Sequence, residues 1–391
     1  MQTELAEFIR DTPEGREAEA ILRKCVHCGF CTATCPTYQV LGDDLDSPRG
    51  RIYLMKRALE GAPITAKTRL HLDRCLTCRA CETTCPSGVR YGRLVDIGRA
   101  VVEAKTRRGP LERAMRAVLA FALPRTKLFT AALRAAQIAG LQPETRKPGA
   151  WPAPRHARRM LALAGCVQPA LAPSINAAAA RVLDRHGISL IEVPAAGCCG
   201  GVRFHMNYQD DGRDDMRALI DAWWPAVDRG EVEAIVVTAS GCGVTVKDYA
   251  HLLAHDPAYA EKAARISALA RDLSEVVPLE AMKGKARGTV AFQSPCTLQH
   301  GQQIRGRVEA LLAAAGYTLL SVDDAHLCCG SAGTYSLLQP RISRELRGRK
   351  LSALEAGRPE VIATANIGCL SHLQGGTATP VRHWIELVDV K

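Results

Sequence analysis

Four cysteines and a proline lie close together near the start of the chain, in the run Cys25-Val-His-Cys28-Gly-Phe-Cys31-Thr-Ala-Thr-Cys35-Pro36. The same spacing returns further along, in the run Cys75-Leu-Thr-Cys78-Arg-Ala-Cys81-Glu-Thr-Thr-Cys85-Pro86. Both runs follow C-x2-C-x2-C-x3-C-P, a spacing with which cysteine thiolates bind [4Fe–4S] clusters. The two runs therefore predict two such clusters in one helical, ferredoxin-like domain.

The fourth cysteine of each run is expected to serve the cluster of the other run. Three thiolates separated by two residues can reach three corners of a cubane from one loop, so the fourth ligand must come from elsewhere. In two-cluster ferredoxins it comes from the other run. We therefore assign one cluster to Cys25, Cys28, Cys31 and Cys85, and the second to Cys75, Cys78, Cys81 and Cys35.

Structural zinc is the alternative for these eight cysteines, because four-cysteine zinc sites also use C-x2-C pairs. Zinc would favour two separated pairs, whereas each run here adds a third and a fourth cysteine followed by a proline. The spacing thus favours iron–sulfur clusters. We expect His27 to be a loop residue and not a ligand.

The second half of the chain carries a duplicated cysteine pattern. Cys166, Cys198 and Cys199 recur 130 residues later, and Cys242 recurs 127 residues later, as Cys296, Cys328, Cys329 and Cys369. Short apolar runs, expected to be strands, alternate with alanine-rich stretches, expected to be helices, in both copies; the strands are predicted at 160–164, 188–193, 234–238, 290–292, 317–322 and 361–364. This alternation is typical of α/β structure with a parallel sheet.

Each copy offers four thiolates that we expect to converge, because ligands gather at the carboxyl ends of parallel strands. Adjacent cysteines suit a polynuclear cluster in which each thiolate binds a different iron. We expect the glycines beside them, Gly200, Gly330, Gly241 and Gly368, to let backbone approach a bulky cofactor. Zinc in one or both copies, a redox-active disulfide, and thiols without metal are the alternatives, which the sequence does not separate.

The predicted fold class is α+β and α/β in several domains. We expect a helical ferredoxin-like domain at 1–140, a proline-rich linker at 141–157, and two tandem α/β repeats at 158–285 and 286–391. In the first domain, Ser47-Pro48 predicts the start of a helix that Gly61 ends, and 92–137 is expected to form one or two helices. The matching segments 271–275 and 382–386 are expected to be packing helices.

The 391 residues have a formal net charge of +11, for which an acidic partner subunit or an anionic membrane surface is one interpretation and a charged, soluble surface is the other. Few aromatic residues lie among the arginines, which argues against nucleic acid. The first residues lack the apolar segment of a secretory signal and no apolar run reaches the length of a membrane span, so we expect a cytoplasmic protein, peripheral to the inner face of the membrane at most. We assign no catalytic residue.

Together these motifs resemble the family of glycolate oxidase iron–sulfur subunits, and the resemblance covers almost the whole chain. The residues that carry it include Pro48-Arg-Gly-Arg-Ile-Tyr53, Asp221-Ala-Trp-Trp-Pro225, Thr238-Ala-Ser-Gly-Cys242, Cys296-Thr-Leu-Gln-His300, Leu327-Cys-Cys-Gly-Ser-Ala-Gly-Thr-Tyr335 and Thr364-Ala-Asn-Ile-Gly-Cys369. The resemblance implies a separate flavin subunit, with FAD, that oxidises glycolate to glyoxylate. This chain would then pass the electrons towards a quinone or another acceptor.

Other functions stay open at this stage. An electron-transfer subunit of a lactate or glycerol-3-phosphate dehydrogenase complex has the same elements, as does a thiol–disulfide reductase similar to heterodisulfide reductase; a zinc scaffold is a non-enzymatic alternative. In heterodisulfide reductase relatives, a fifth cysteine helps each repeat to hold a non-cubane cluster. Ala239 and Asn366 stand at those positions here, which argues against a cluster of that type.

Overall fold

The computed structural model describes residues 1–140, 145–279 and 285–389. Its first part is helical, with short 3₁₀ turns at Phe30–Thr32 and Asp44–Asp46. Nine α-helices are described there: α1 Glu7–Arg10, α2 Pro13–Lys24, α3 Pro36–Leu41, α4 Pro48–Leu59, α5 Ala66–Asp73, α6 Ala80–Thr84, α7 Tyr91–Lys105, α8 Pro110–Ala122 and α9 Thr126–Ile138.

Helix α4 begins as the sequence predicts. The Ser47 hydroxyl accepts a hydrogen bond from the Gly50 N–H, and Pro48 occupies the first helical position. The prediction of one or two helices over 92–137 is wrong, because three helices, α7 to α9, lie there. Pro110 starts α8, and Pro124 precedes α9; a proline inside a helix removes a backbone hydrogen bond and clashes with the preceding turn.

The first repeat is an α/β unit with the strands β1 Arg158–Ala162, β2 Ile188–Glu192, β3 Ala234–Val237 and β4 Ala270–Asp272. All pairs are parallel, in the order β2-β1-β3-β4, and Met160 lies opposite both Leu190 and Ala234. Its helices are α10 Gln168–Leu171, α11 Ser174–Arg185, α12 Gly201–His205, α13 Gln209–Asp228, α14 Ser240–Lys247, α15 Tyr249–Leu252, α16 Ala260–Leu269 and α17 Leu273–Val276.

The second repeat has the same topology. Its strands are β5 Thr289–Gln293, β6 Thr318–Leu320, β7 Val361–Thr364 and β8 Val381–His383, all parallel in the order β6-β5-β7-β8. A π-helical turn spans Thr297–Gly301, and the α-helices are α18 Arg307–Ala314, α19 Tyr335–Leu338, α20 Pro340–Glu355, α21 Ile367–Gln374 and α22 Trp384–Val388. The predicted fold class, a helical region followed by two α/β units with parallel sheets, is confirmed.

The prediction of packing helices at 271–275 and 382–386 is correct for the second part of each segment and wrong for its first two residues. Each segment contains an edge strand, β4 or β8, that turns directly into a short helix, α17 or α22. A capping box makes the turn in both copies, with Asp272 and Glu275 in the first and His383 and Glu386 in the second. The residues of these two strands, Ala-Arg-Asp and Val-Arg-His, form no apolar run that would indicate a strand.

The two repeats share one apolar core. Helices α11 and α22 meet through residues that include Ala179, Leu183, Trp384 and Ile385. The predicted linker, 141–157, lies partly outside the described residues, and its described part has neither helix nor strand. Within that part, the Trp151 indole N–H donates to the Leu190 carbonyl at 3.1 Å.

Candidate cluster-binding site

The two N-terminal cysteine runs form loops of the same backbone conformation. In the first loop His27 and Gly29 have positive φ values of 58° and 87°, and in the second Thr77 and Arg79 have 52° and 59°. Cys35 and Cys85 lie at equivalent positions, since each immediately precedes its proline and has an extended backbone. Arg79 adopts the conformation that Gly29 adopts, so the loop itself does not demand glycine there.

Cysteines from both runs line a single pocket. Cys25, Cys28 and Cys31 come from the first run and Cys85 from the second, and Ile52, Val89 and Tyr91 supply apolar and aromatic walls. Cys81 also contributes to the lining. The predicted members of the first ligand set thus share one cavity.

Cys35 lies near thiols of both runs, since, after loss of solvent, it is also among the neighbours that raise the pKa of the Cys31 thiol. Its thiol is among the neighbours that raise the pKa values of the Cys78 and Cys81 thiols, although loss of solvent is the largest cause for both. The Thr77 N–H and the Tyr91 hydroxyl donate to the sulfur of Cys75, at 3.4 and 3.6 Å. These donors would stabilise a thiolate.

The spread of the sulfurs fits a polynuclear group better than a single ion. Zinc–sulfur bonds of about 2.3 Å would place tetrahedral thiolates about 3.8 Å apart. Within the described residues, no three cysteines have all their sulfurs within 4.8 Å of one another; the one such group of possible ligands is Asp43, Asp46 and His71. That group is part of an ion-pair network, since Asp46 pairs with the guanidinium groups of Arg51 and Arg74 at 3.3 and 2.7 Å.

Arg51 was missed as a site residue by the sequence analysis. Its side chain is 1% exposed and donates to the carbonyl of His71 at 2.6 Å and the hydroxyl of Thr37 at 3.0 Å. It also approaches the sulfur of Cys35 at 3.9 Å. The sequence does indicate that Arg51 is buried. It lies four and eight residues before the core residues Met55 and Leu59, a spacing that places all three on the same face of α4.

The four cysteines of each repeat converge at one end of the sheet. Cys166 follows β1, Cys198 and Cys199 lie between β2 and α12, and Cys242 lies in the first turn of α14 after β3. Each thiol in the order Cys166, Cys198, Cys199, Cys242 contacts the next. The contact with the preceding cysteine lowers the pKa of Cys198 and of Cys199, but the contact with the following cysteine and burial outweigh it, so the pKa values of Cys166, Cys198 and Cys199 are all raised. The second repeat has the same contacts in the order Cys296, Cys328, Cys329, Cys369. The sulfurs of Cys296 and Cys328 are 3.9 Å apart.

The glycines after the cysteine pairs are required by packing. Gly200 and Gly330 have φ values of 80° and 88°. A Cβ on Gly200 would lie 2.4 Å from the Gly212 carbonyl oxygen, and one on Gly330 would lie 2.6 Å from the Ser343 carbonyl oxygen. Close approach to helices α13 and α20 is therefore the observed reason for these two glycines, whereas close approach to a cofactor was expected.

The two repeats have different residues at the position where heterodisulfide reductase relatives have a fifth cysteine. Ala239 is buried in the first repeat. In the second, the Asn366 amide donates to the sulfur of Cys369 at 3.5 Å, and its oxygen accepts from the Gly241 N–H at 3.3 Å. Asn366 therefore connects the last cysteine loop of each repeat.

The second repeat lies directly against the second N-terminal cysteine set. Cys296 is the largest influence after loss of solvent on the raised pKa of the Cys78 thiol. The Tyr335 hydroxyl donates to the Arg74 carbonyl at 3.0 Å, and the Thr83 hydroxyl and the Nδ1 atom of His300 are 3.0 Å apart. Of the histidines near the cysteine motifs, His300 thus joins two regions, and its Nε2 atom lies 2.9 Å from the His326 carbonyl oxygen.

The first repeat joins the N-terminal region through ion pairs. Asp248 accepts from the guanidinium groups of Arg79 and Arg93, each at 2.9 Å. Within its cysteine row, Cys199 is enclosed by its own repeat: the Tyr249 hydroxyl donates to the Cys199 carbonyl at 2.8 Å, and Cys199 packs in a core with Phe204 and Met216. Cys166 and Cys242 line a small pocket together with Ile367 of the second repeat.

The fold and the cysteine sets define a class of iron–sulfur proteins with a dicluster domain followed by cysteine-rich repeats. Residues 21–89 match the family model for a 4Fe-4S dicluster domain, and residues 160–247 and 290–374 both match the model for a cysteine-rich domain. Iron–sulfur chemistry in an electron-transfer role fits both kinds of domain.

Curated relatives narrow this class. The chain is 54% identical to the glycolate oxidase iron–sulfur subunit of Escherichia coli K12, across 100% of this chain and 98% of that protein. It is 30% identical to the probable glycolate oxidase iron–sulfur subunit of Bacillus subtilis 168, across 92% and 90%. Lactate utilization protein A of Geobacillus thermodenitrificans matches 55% of this chain and 92% of its own length at 24% identity. The chain belongs to the family of glycolate oxidase iron–sulfur subunits.

Proposed function

We propose that this chain is the electron-transfer subunit of a glycolate-oxidising complex. A partner subunit with FAD would oxidise glycolate to glyoxylate, and the electrons would leave towards a quinone or another acceptor. The proposal is supported by the 54% identity to a glycolate oxidase iron–sulfur subunit over the whole chain. The observation that carries it is the shared cavity of Cys25, Cys28, Cys31 and Cys85, which a pair of cluster-binding loops requires.

We propose that these four cysteines hold one [4Fe–4S] cluster and that Cys75, Cys78, Cys81 and Cys35 hold a second. When bound, such clusters take up and release one electron at a time. A flavin that has gained two electrons from its substrate can therefore pass them to the clusters singly. The protein's own contribution is to desolvate the thiols and to place donors beside them, as the Tyr91 hydroxyl does beside Cys75. Buried Arg51 adds a positive charge near Cys35, which would favour the reduced state of a group held there.

For the repeats we propose a polynuclear iron–sulfur group and not zinc. Among the described residues no three cysteine sulfurs lie within 4.8 Å of one another, whereas one zinc ion would hold its four thiolates about 3.8 Å apart. The neighbouring Cys78 and Cys296 would then bring the second repeat's group close to the N-terminal clusters.

The test is anaerobic co-purification of the chain with its partners from the native cell. Iron, zinc and flavin are counted in the complex, and paramagnetic resonance spectra are recorded after glycolate or lactate is added. We expect more than eight irons per chain, since two cubanes account for eight, little zinc, a flavin on another subunit, and cluster reduction by glycolate. Reduction by lactate alone would move the proposal to a lactate-oxidising complex, the second candidate, which the similarity to lactate utilization proteins supports.

A further inference from the structure

Helices α8 and α9 display apolar side chains to solvent. On α8, Leu111, Met115, Val118 and Phe121 are 83%, 40%, 64% and 56% exposed. Their spacing places all four on one face of the helix. On α9, Leu128 and Ile138 are 41% and 89% exposed, and no residue of α9 is fully buried.

The polar face of α8 points into the protein. Arg116 is 6% exposed and pairs with Asp73 and Glu112, while Arg108, just before the helix, pairs with Asp73 and Glu103. Rotation of α8 to bury its apolar side chains would break this network and leave buried charges without partners, which is costly. The apolar face is therefore held outward by the fold.

The charged residues around these two helices indicate which kind of surface the apolar face would contact. Residues 106–140 contain seven lysines and arginines but one acidic residue, Glu112, which is already paired. The cations exposed on this segment are Arg107, Arg113, Arg125, Lys127 and Arg134. An exposed apolar face in a segment whose exposed charged residues are all cations is complementary to an anionic phospholipid surface, in which an amphipathic helix can lie at the depth of the headgroups.

We propose that the α8–α9 helix pair docks this protein on an anionic bilayer. Within the described residues no helix is long and apolar enough to cross a membrane, so the contact would be with the surface. The inference does not depend on the identity of the oxidised substrate. It places an electron-transfer chain beside the lipid phase, where a quinone acceptor would be reached.

The experiment is flotation of the full metal-loaded chain with vesicles. We expect binding to vesicles of phosphatidylcholine with phosphatidylglycerol, and little binding to phosphatidylcholine alone. The change of Arg113, Lys127 and Arg134 to Gln should weaken the partition by about 100-fold, at roughly fivefold per cation. A matched control changes three exposed arginines elsewhere to Gln and should retain most of the binding: Arg265, Arg341 and Arg344.

A second variant tests how much the apolar side chains contribute to vesicle binding. The double change V118D and F121D should reduce binding at least about 10-fold, since each side chain loses its transfer from water. The control Leu337→Asp, at a side chain that is 56% exposed on α19, should bind as the unchanged chain does. Circular dichroism and iron content establish that each variant is folded.

No flotation of the unchanged chain with anionic vesicles would overturn the proposal. Equal flotation with both kinds of vesicle would also overturn it, because charge would then not select the surface. If V118D/F121D floats normally but fails to retain the flavin subunit, the helix pair is a protein interface and the lipid assignment is wrong.

Discussion

The two cysteine-rich repeats have the same strand order and the same cysteine row, yet their surroundings differ. The second repeat places Cys296 beside Cys78 and joins the N-terminal region through hydrogen bonds of Tyr335 and His300. The first repeat packs Cys199 in its own core, its Cys166 and Cys242 line a pocket with Ile367 of the second repeat, and it joins the N-terminal region through Asp248. Both copies keep the four cysteines, while docking against the N-terminal helices makes the second copy the neighbour of the N-terminal cysteine Cys78.

The largest effect is expected from replacing one cysteine in each repeat and comparing the results. Cys296→Ser and Cys166→Ser change equivalent positions, and each should remove the metal group of its own repeat, because a hydroxyl is a poor replacement for a thiolate ligand. Cys296→Ser should also alter the paramagnetic resonance signal of the N-terminal clusters. Iron counts and spectra of both variants give the answer. Identical spectral changes in both variants would contradict the asymmetry.

The second prediction concerns what the repeats share. Gly330→Ala and Gly200→Ala should each destabilise the protein by about 2–4 kcal/mol, because the positive φ and the nearby carbonyl oxygen both oppose a Cβ. Gly348→Ala, at a helical position with open space around it, is the control and should be neutral or stabilising. Thermal unfolding of the three variants measures this. A stable Gly330→Ala chain would show that α20 can move away.

A third prediction tests how the first repeat is attached. Asp248→Asn should cost about 2 kcal/mol, since it removes the counter-charge of Arg79 and Arg93, which are 19% and 15% exposed. The control Glu233→Gln removes an exposed partner of Arg158 and should cost less than about 1 kcal/mol. Chemical denaturation of both variants provides the comparison, and equal costs would mean that these ion pairs do not hold the regions together.

The smallest effect is expected at the position of the absent fifth cysteine. Asn366→Ala gives the second repeat the residue of the first, Ala239, and should cost about 1 kcal/mol through two lost hydrogen bonds. A shift of the resonance signal of the second repeat should accompany it, because the sulfur of Cys369 loses a donor. An unchanged signal together with unchanged stability would remove any role for Asn366.

Much of this organisation could be predicted from the residues alone. The spacing of Cys25 to Cys35 and of Cys75 to Cys85 predicts the cluster loops, and the offsets of 130 and 127 predict the duplication. Strong local signals also predicted the buried strands and the start of α4 at Pro48. The edge strands β4 and β8 were missed because their residues, Ala-Arg-Asp and Val-Arg-His, form no apolar run, unlike those of the equally short β6. One of the three helices α7 to α9 was also missed, because the prolines that separate them interrupt the periodic pattern.

Local sequence determined which residues can bind metal, because ligand spacing within a loop is a property of a few consecutive residues. Only the tertiary structure decided which groups those residues meet. Arg51 reaches Cys35, Asn366 connects the repeats, and Cys296 lies beside Cys78 through contacts between residues far apart in the chain. The outward apolar face of α8 has the same cause, since the buried ion pairs of Arg116 fix the rotation of the helix.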